Sequence, residues 1–273
     1  MDRALDFSHD LMTTWRIARL RLLGQMSYRS SFIMQIFGNF LINAVEVVAT
    51  LFLFNHFDSL GGWNLQEVMF LHGISMVAFS IGDTIANGIQ GIPTLIKAGE
   101  FDRLMIRPMP IYLQAIVNEV SLRHVGQMIQ GIILFAYGAI AADVSWSFGN
   151  GMYLALMIAC AATLFVALFT IEAILSFWTV NSVEAINAFT YGGSDISQYP
   201  LHIFPKLFRN LFLWILPLGF TCYYPAMHLM DKEDSIGLPR AVQYFGVPMT
   251  LIFCLAVAVG WHFALRRHSS TGS

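Results

Sequence analysis

The chain has 273 residues, 56% of them hydrophobic and only 12% charged, with 23 Phe and 14 Met and a mean hydropathy of +0.62. Soluble domains carry about 25% charged residues, so this composition excludes an ordinary water-soluble globule and points to lipid as the solvent. The net charge of -2 argues against nucleic acid as a partner.

Residues 1–31 hold Arg3, Arg16, Arg19, Arg21 and Arg29, with Leu11, Trp15, Ala18, Leu22 and Met26 between them at three- and four-residue steps. This pattern predicts a basic amphipathic helix lying at a membrane interface, arginines toward anionic headgroups. The first long apolar run comes only after Ser31, which is not the pattern of a cleavable signal peptide. A membrane-crossing helix needs about 20 mostly apolar residues. Six segments meet that requirement: Phe32–Phe57, Gln66–Gln90, Ile111–Ala142, Met152–Val180, Phe204–Cys222 and Phe245–Leu265. The expected fold class is therefore all-α and polytopic: an interfacial helix over 1–31, a six-helix transmembrane domain over 32–265, and a short tail over 266–273.

Lysine and arginine in the loops set the orientation. The arm, the 91–110 loop, the 181–210 region and the tail together carry twelve, against Lys232 and Arg240 in the opposite loops. Both termini and the 91–110 loop are thus expected on the cytoplasmic side, and so is the turn-rich connection 181–203. Pro217 and Pro225 interrupt helical continuity. They predict short re-entrant or interfacial helices over 223–243 on the outer face, with Tyr223 and Tyr224 at headgroup level.

Several polar residues recur at helical spacing inside these segments. Gln35, Asn39, Asn43 and Glu46 share one face of the first helix, and Ser80, Asp83 and Asn87 one face of the second. Such faces cannot point at lipid, where a charge costs at least ~2.5–3.5 kcal/mol. Interhelical hydrogen bonding accounts for the Asn and Gln residues, and Asp83 lies near enough to the cytoplasmic surface to snorkel. Glu46 sits ~21 Å into its helix at ~1.5 Å per residue, with no basic neighbour on that helix. It either pairs across helices or recognises a cationic or polar substrate. Asn39, Asn43, Glu46, Asp83 and Glu172 are the candidate substrate-pathway residues. Glu119 and Arg123 stand at i,i+4 in the third helix and are expected to form a structural ion pair.

The loop Gly91–Pro108 keeps Ile92, Leu95 and Ile96, then Phe101, Leu104 and Met105, at helical spacing among its charges. It predicts two short helices, Pro93 in the first turn of one and Gly99 at its stop, and a docking role for the loop. No catalytic chemistry is legible. There is no GxxxxGK[ST] phosphate loop, no HExxH and no GxSxG. His72 and His124 read as hydrogen-bonded interior histidines. Cys160, Cys222 and Cys254 read as buried structural thiols without metal spacing. No cofactor is expected on this chain.

The stretch GIQGIPTLIKAGEFDRLMIRPMPIYLQ (Gly88 to Gln114), above all GEFDRLMIRP, resembles the cytoplasmic loop of ABC-2-type permeases, in particular a poorly characterised bacterial branch. YPLHIFPKLFRNLFLWILPLGFTCYYPA (Tyr199 to Ala226), with prolines at 200, 205, 217 and 225, is similar to a second signature of that branch. The resemblance implies a six-helix permease of an ATP-driven exporter in the bacterial inner membrane. It implies pairing with a second copy or a sister permease, and docking of two ATP-binding cassette subunits that use ATP and Mg. Ile92, Leu95, Ile96, Phe101, Asp102 and Arg103 would then be the ATPase-coupling residues, with Leu95 and Ile96 offered to a groove on the ATPase. Two other readings of the residues are an ion-coupled transporter or channel, with Glu46, Asp83 and Glu172 as relay carboxylates, and a non-transporting membrane scaffold. Dependence on a proton gradient would mark the first, and absence of solute-stimulated ATPase activity the second.

Overall fold

The computed structural model describes residues 2–27, 29–119, 121–179 and 183–267, and the side chains of these except 2–11, 26 and 183–185. Arg3, Leu11 and Met26 of the expected amphipathic stripe, and tail residues 268–273, lie outside what is described. Among the described residues the structure is helical, without strands. Four helices are long and apolar enough to cross a membrane, counting the short helix that continues the second: Arg29–His56, Leu65–Lys97, Phe148–Ser176 and Gly246–Arg267.

The chain opens with α1 (Asp2–Ser27) and α2 (Arg29–His56), followed by α3 (Leu65–Gln90), α4 (Ile92–Lys97) and α5 (Asp102–Met105). Next come α6 (Ile111–Asn118), α7 (Val125–Ala141), α8 (Phe148–Ser176) and α9 (Val183–Ser197). Then α10 (Lys206–Asn210), two π-helical turns, α11 (Tyr224–Leu229) and α12 (Gly246–Arg267) complete the chain.

The core is built on α3, which is apolar on nearly every side and mostly buried, packed between α7 and α8. In lipid no hydrophobic force drives two apolar helices together, so close backbone approach through small residues does that work. Gly73 of α3 lies against Phe135, and Gly138 of α7 against Phe70. Gly82 lies 2.9 Å, measured from where a Cβ would stand, from the Ala162 carbonyl of α8. The start of α3 is fixed by a capping box: Glu67 N donates to Asn64 Oδ1 at 2.9 Å and Asn64 N to Glu67 Oε2 at 2.8 Å.

Two of the six expected segments are not single helices. Ile111–Ala142 is broken between α6 and α7, where Glu119 is extended. The break is supported from outside. Gln25 Oε1 accepts from Leu122 N within the break at 3.3 Å, and Asn39 Oδ1 from Gln127 N in the first turn of α7 at 3.1 Å, so α1 and α2 satisfy amides that the break leaves free.

The second departure is larger. Residues 183–197, expected to belong to a cytoplasmic connection, form α9. It leads from the end where α8 finishes to the end that carries loop 58–64, for His202 Nε2 lies 2.8 Å from the Gly61 carbonyl. Phe204–Cys222, expected as a crossing, instead enters and leaves by that same end. Leu216 N bonds back to Leu211 O in a π turn, and Pro217, without an N–H, ends it. The turn at 216–218 reaches Gly193 in the middle of α9, and α11 returns until Leu229 O accepts from Ser145 N at 3.0 Å. Lys206 and Arg209 therefore belong with loop 58–64 and not with loop 91–110. Tyr223 and Tyr224 are buried, Tyr223 stacked on Trp63, rather than placed at a membrane surface.

Candidate functional site

A polar cleft of about 520 Å³ lies between α2, α3, α7 and α9. Helix α2 lines it with Gln35, Asn39, Asn43 and Glu46, the polar face read from the sequence. Asp83 of α3 forms part of its wall, and Arg123, His124 and Gln127 stand at the start of α7. The fourth wall is α9, with Tyr191, Ser194, Asp195 and Gln198. Four of the five expected pathway residues thus converge on one space. The helices on either side are tied together: Gln198 Nε2 donates to Glu46 Oε2 at 3.4 Å, and the Thr50 and Tyr199 hydroxyls lie 2.9 Å apart.

The cleft has a cationic and an anionic part. At one side Arg123 Nε donates to His124 Nε2 at 2.8 Å, and His124 Nδ1 lies 3.0 Å from Asp83 Oδ2. An Nε2 that accepts from a guanidinium carries no proton, which leaves the imidazole neutral with its proton on Nδ1; that nitrogen touches the Asp83 carboxylate without the alignment of a hydrogen bond. Gln90 donates to the other oxygen of Asp83. Asp83 is 1% exposed; it is buried in this pair and does not snorkel to a surface. Toward the other side stand Glu46 and Asp195, and Arg123 is the one Lys or Arg in the lining.

Glu172 does not line the cleft. It is buried between α8 and α9, where Thr190 Oγ1 donates to Oε1 at 2.8 Å and the Asn187 amide, turned nitrogen-first, reaches Oε1 and Oε2 at 3.0 and 2.9 Å. Glu119 and Arg123 do not form the expected ion pair. Their i,i+4 spacing is lost in the non-helical break, and the ion pairs among the described residues are Arg103–Glu100 and Lys232–Glu67, with His124 in contact with Asp83. His72 is fully buried and neither ring nitrogen has a hydrogen-bond partner, contrary to the reading of it as hydrogen-bonded; it packs on Tyr199. Asp195, Gln198 and Tyr191 were not expected here. Their signal was present, since Asn187, Tyr191, Asp195 and Gln198 repeat the four, four, three spacing of α2. Gly192, Gly193 and Pro200 masked it as a turn.

The 91–110 loop does contain two short helices, α4 and α5. Of the six expected coupling residues, Ile92 and Phe101 are buried and serve the chain's own core, with Ile89, Leu104, Ile174 and Trp261. Leu95 and Ile96 pack against the same cluster, so these four are turned toward the protein. Asp102 is half-buried. Arg103 is exposed, 3.7 Å from Glu100, and with Lys97 and Ala98 it makes the loop's outward face. Ile106 is 83% exposed, more open than Met105 beside it. No cluster of three His, Cys, Asp or Glu side chains suited to a metal occurs among the described residues.

Searches among curated proteins and among solved structures give no significant match. A family model described as ABC-2 family transporter protein matches residues 40–272. The match begins inside α2 and takes in everything after it, the 91–110 loop and the cleft's α3, α7 and α9 walls included. With that span matched, the sequence resemblance, the long apolar helices and the polar cleft lead to one conclusion: the chain belongs to the ABC-2 family of transporter proteins.

Proposed function

We propose that the chain is the permease of an ATP-driven exporter, and that the cleft between α2 and α9 is its half of the translocation path. The observation that carries this reading is the cleft itself. A membrane-long helix presents Gln35 and Glu46, and α9 presents Asp195, on a side where a lone chain would meet hydrocarbon. A carboxylate at that depth costs at least ~2.5–3.5 kcal/mol unless protein or water covers it. A second permease copy or a sister permease laid over this side would enclose the two clefts as one wet path.

In this reading α2, α3, α6–α7, α8, α9 and α12 make six crossings, and residues 204–229 form a re-entrant hairpin on the outer face. With Lys206 and Arg209 moved to the outer side, ten Lys and Arg residues still stand on the side of α1, loop 91–110 and Arg266–Arg267, against four opposite. That excess supports a cytoplasmic placement of both termini in a bacterial inner membrane. ATP and Mg would be used by two separate ATP-binding subunits, since the chain has no phosphate loop. They would dock under the outward face of loop 91–110. Because Glu46 and Asp195 are not matched by cations beside them, the favoured solute is an amphipathic organic cation. ATP-driven closure moves such a solute only if the two states of the cleft bind it with different affinity.

The test is co-expression with an ATP-binding subunit and reconstitution into liposomes. Tetraphenylphosphonium is expected to stimulate ATP hydrolysis, and Glu46→Gln with Asp195→Asn to abolish that stimulation. Failure to assemble with any ATP-binding subunit, or transport that follows a proton gradient and ignores ATP, would contradict the proposal.

A further inference from the structure

The cleft between α2 and α9 holds charges of both signs that do not meet. Arg123 pairs with no carboxylate among the described residues, and neither Glu46 nor Asp195 pairs with a cation there. The separation has a structural cause. Arg123 stands just before α7, whose first turn is fixed to α2 at Asn39, where Gln127 N donates to Oδ1 at 3.1 Å. Glu46 follows Asn39 by seven residues, which is ~10 Å farther along the helix at ~1.5 Å per residue. Gln198 of α9 reaches Glu46 at that level, and Asp195 lies on the same face of α9 one turn earlier.

The Arg123 side chain is held from behind. Its Nε is committed to His124 Nε2 at 2.8 Å, and His124 is 5% exposed, packed against Asp83. A guanidinium engaged at Nε keeps its terminal nitrogens as donors, and Arg123 is exposed and lines the cleft. An aromatic wall joins the two charged ends. Phe79 stands one turn from Asp83 and Tyr191 one turn from Asp195, both in the lining, with their rings in edge contact at 5.6 Å. A solute with a positive charge alone would meet Glu46 and Asp195 and be repelled by Arg123; one that also carries a negative charge at its far end satisfies all three.

We infer that the cleft is two-ended and takes a zwitterion with well-separated charges. The amine end lies at Glu46 and Asp195, a carboxylate end meets the terminal nitrogens of Arg123, and the apolar body runs along Phe79 and Tyr191. Guanidinium nitrogens match a carboxylate in shape as well as in charge, which makes Arg123 the residue that sets specificity. An α-amino acid carries its two charges side by side and reaches only one end. The inference rests on the proposed reading of the cleft as the solute path, and narrows its solute from an organic cation to one with an anionic far end.

The test is calorimetric titration of the purified full-length chain in detergent, corrected for partition into empty micelles. Three compounds of one chain length are compared: 8-aminooctanoate, its isomer 2-aminooctanoate, and octylamine. The first is expected to bind at least about tenfold more tightly than the other two, the worth of one charge-assisted contact. Arg123→Gln is expected to erase its advantage over octylamine, and to tighten octylamine itself several-fold by removing a like charge. Should that variant not fold, the ranking of the three compounds on the unaltered chain decides. Equal affinity for the two isomers would overturn the inference. Equal weakening of 8-aminooctanoate and octylamine by Arg123→Gln would overturn it in favour of a packing role for Arg123. Binding of none of the three would also overturn it, and tetraphenylphosphonium bound by the same chain would then leave the proposed function standing. Binding as expected in a complex whose ATP hydrolysis 8-aminooctanoate does not stimulate would leave the two-ended site standing and count only against the proposed function.

Discussion

Arg123 enters the cleft on a chain of side chains and not on an ion pair of its own. Its Nε rests on His124, and His124 faces a buried Asp83. Removing Asp83 as a buried acceptor leaves the Gln90 amide that donates to it unpaired, at a cost of about 1–3 kcal/mol. Asp83→Leu is therefore expected to lower the unfolding temperature in detergent, whereas Asp83→Asn, which keeps an oxygen for the Gln90 amide, is expected to lower it much less. The two opposite carboxylates make a different prediction. Their loss removes charge from the space without breaking a buried pair, so Glu46→Gln and Asp195→Asn should leave unfolding nearly unchanged. Each should raise the concentration of tetraphenylphosphonium needed for half-maximal ATPase stimulation by about tenfold, the worth of one charge-assisted contact. An equal effect of both substitutions on unfolding would assign them a packing role instead.

Among the elements, the crossings of α3 over its neighbours depend on glycines with no room for a methyl group. A Cβ on Gly88 would overlap the Ala115 carbonyl of α6 and lie 2.9 Å from that of Ile116, and one on Gly138 would meet the backbone of Phe70. Gly88→Ala and Gly138→Ala are each expected to destabilise by about 1–3 kcal/mol, read as a loss of folded yield. Gly151, where a Cβ meets nothing within 4 Å, is the control and should tolerate alanine. The 91–110 loop separates in the same way into a face that folds and an outward face, the one that would dock in the proposed function. Ile92→Asp should prevent folding, while Arg103→Glu should leave the permease folded and weaken the coupling of ATP hydrolysis to transport.

These elements also show what could be read in the sequence. Helices α2, α3, α8 and α12 announce themselves by long apolar runs, because burial in lipid demands them. The polar stripe of α2 was legible for the same reason, since its period stands out against an apolar background. Helix α9 has no such background. Its apolar residues are diluted by Gly192, Gly193, Ser194 and Asp195, and only the re-entrant hairpin packed against Gly193 makes that composition tolerable inside the protein. The break before α7 was equally hidden, because the groups that stabilise it come from Gln25 and Asn39, far away in sequence. Burial of Ile92 and Phe101 follows from Trp261 and Ile174, which no local pattern reveals.

At the scale of the molecule, the polar cleft and the exposed surface of α2 belong to one problem. Most of α2 is uncovered in a single chain, with Ile42 and Val45 exposed beside Glu46, so the chain presents apolar and charged groups on one side. A second permease covering that side meets both requirements, and ATP-driven change in its position would open the path to either face in turn. The central claim is therefore that the cleft changes access with nucleotide. Ile42 lines the cleft and is exposed, which suits Ile42→Cys in a chain whose Cys160, Cys222 and Cys254 have been replaced by alanine. In liposomes holding the complex with its ATP-binding subunits, a membrane-impermeant thiol reagent is applied to one face at a time, with and without ATP and vanadate. The account predicts labelling from the face of loop 91–110 without nucleotide and from the opposite face when nucleotide is trapped. Labelling that is the same in both states would contradict it.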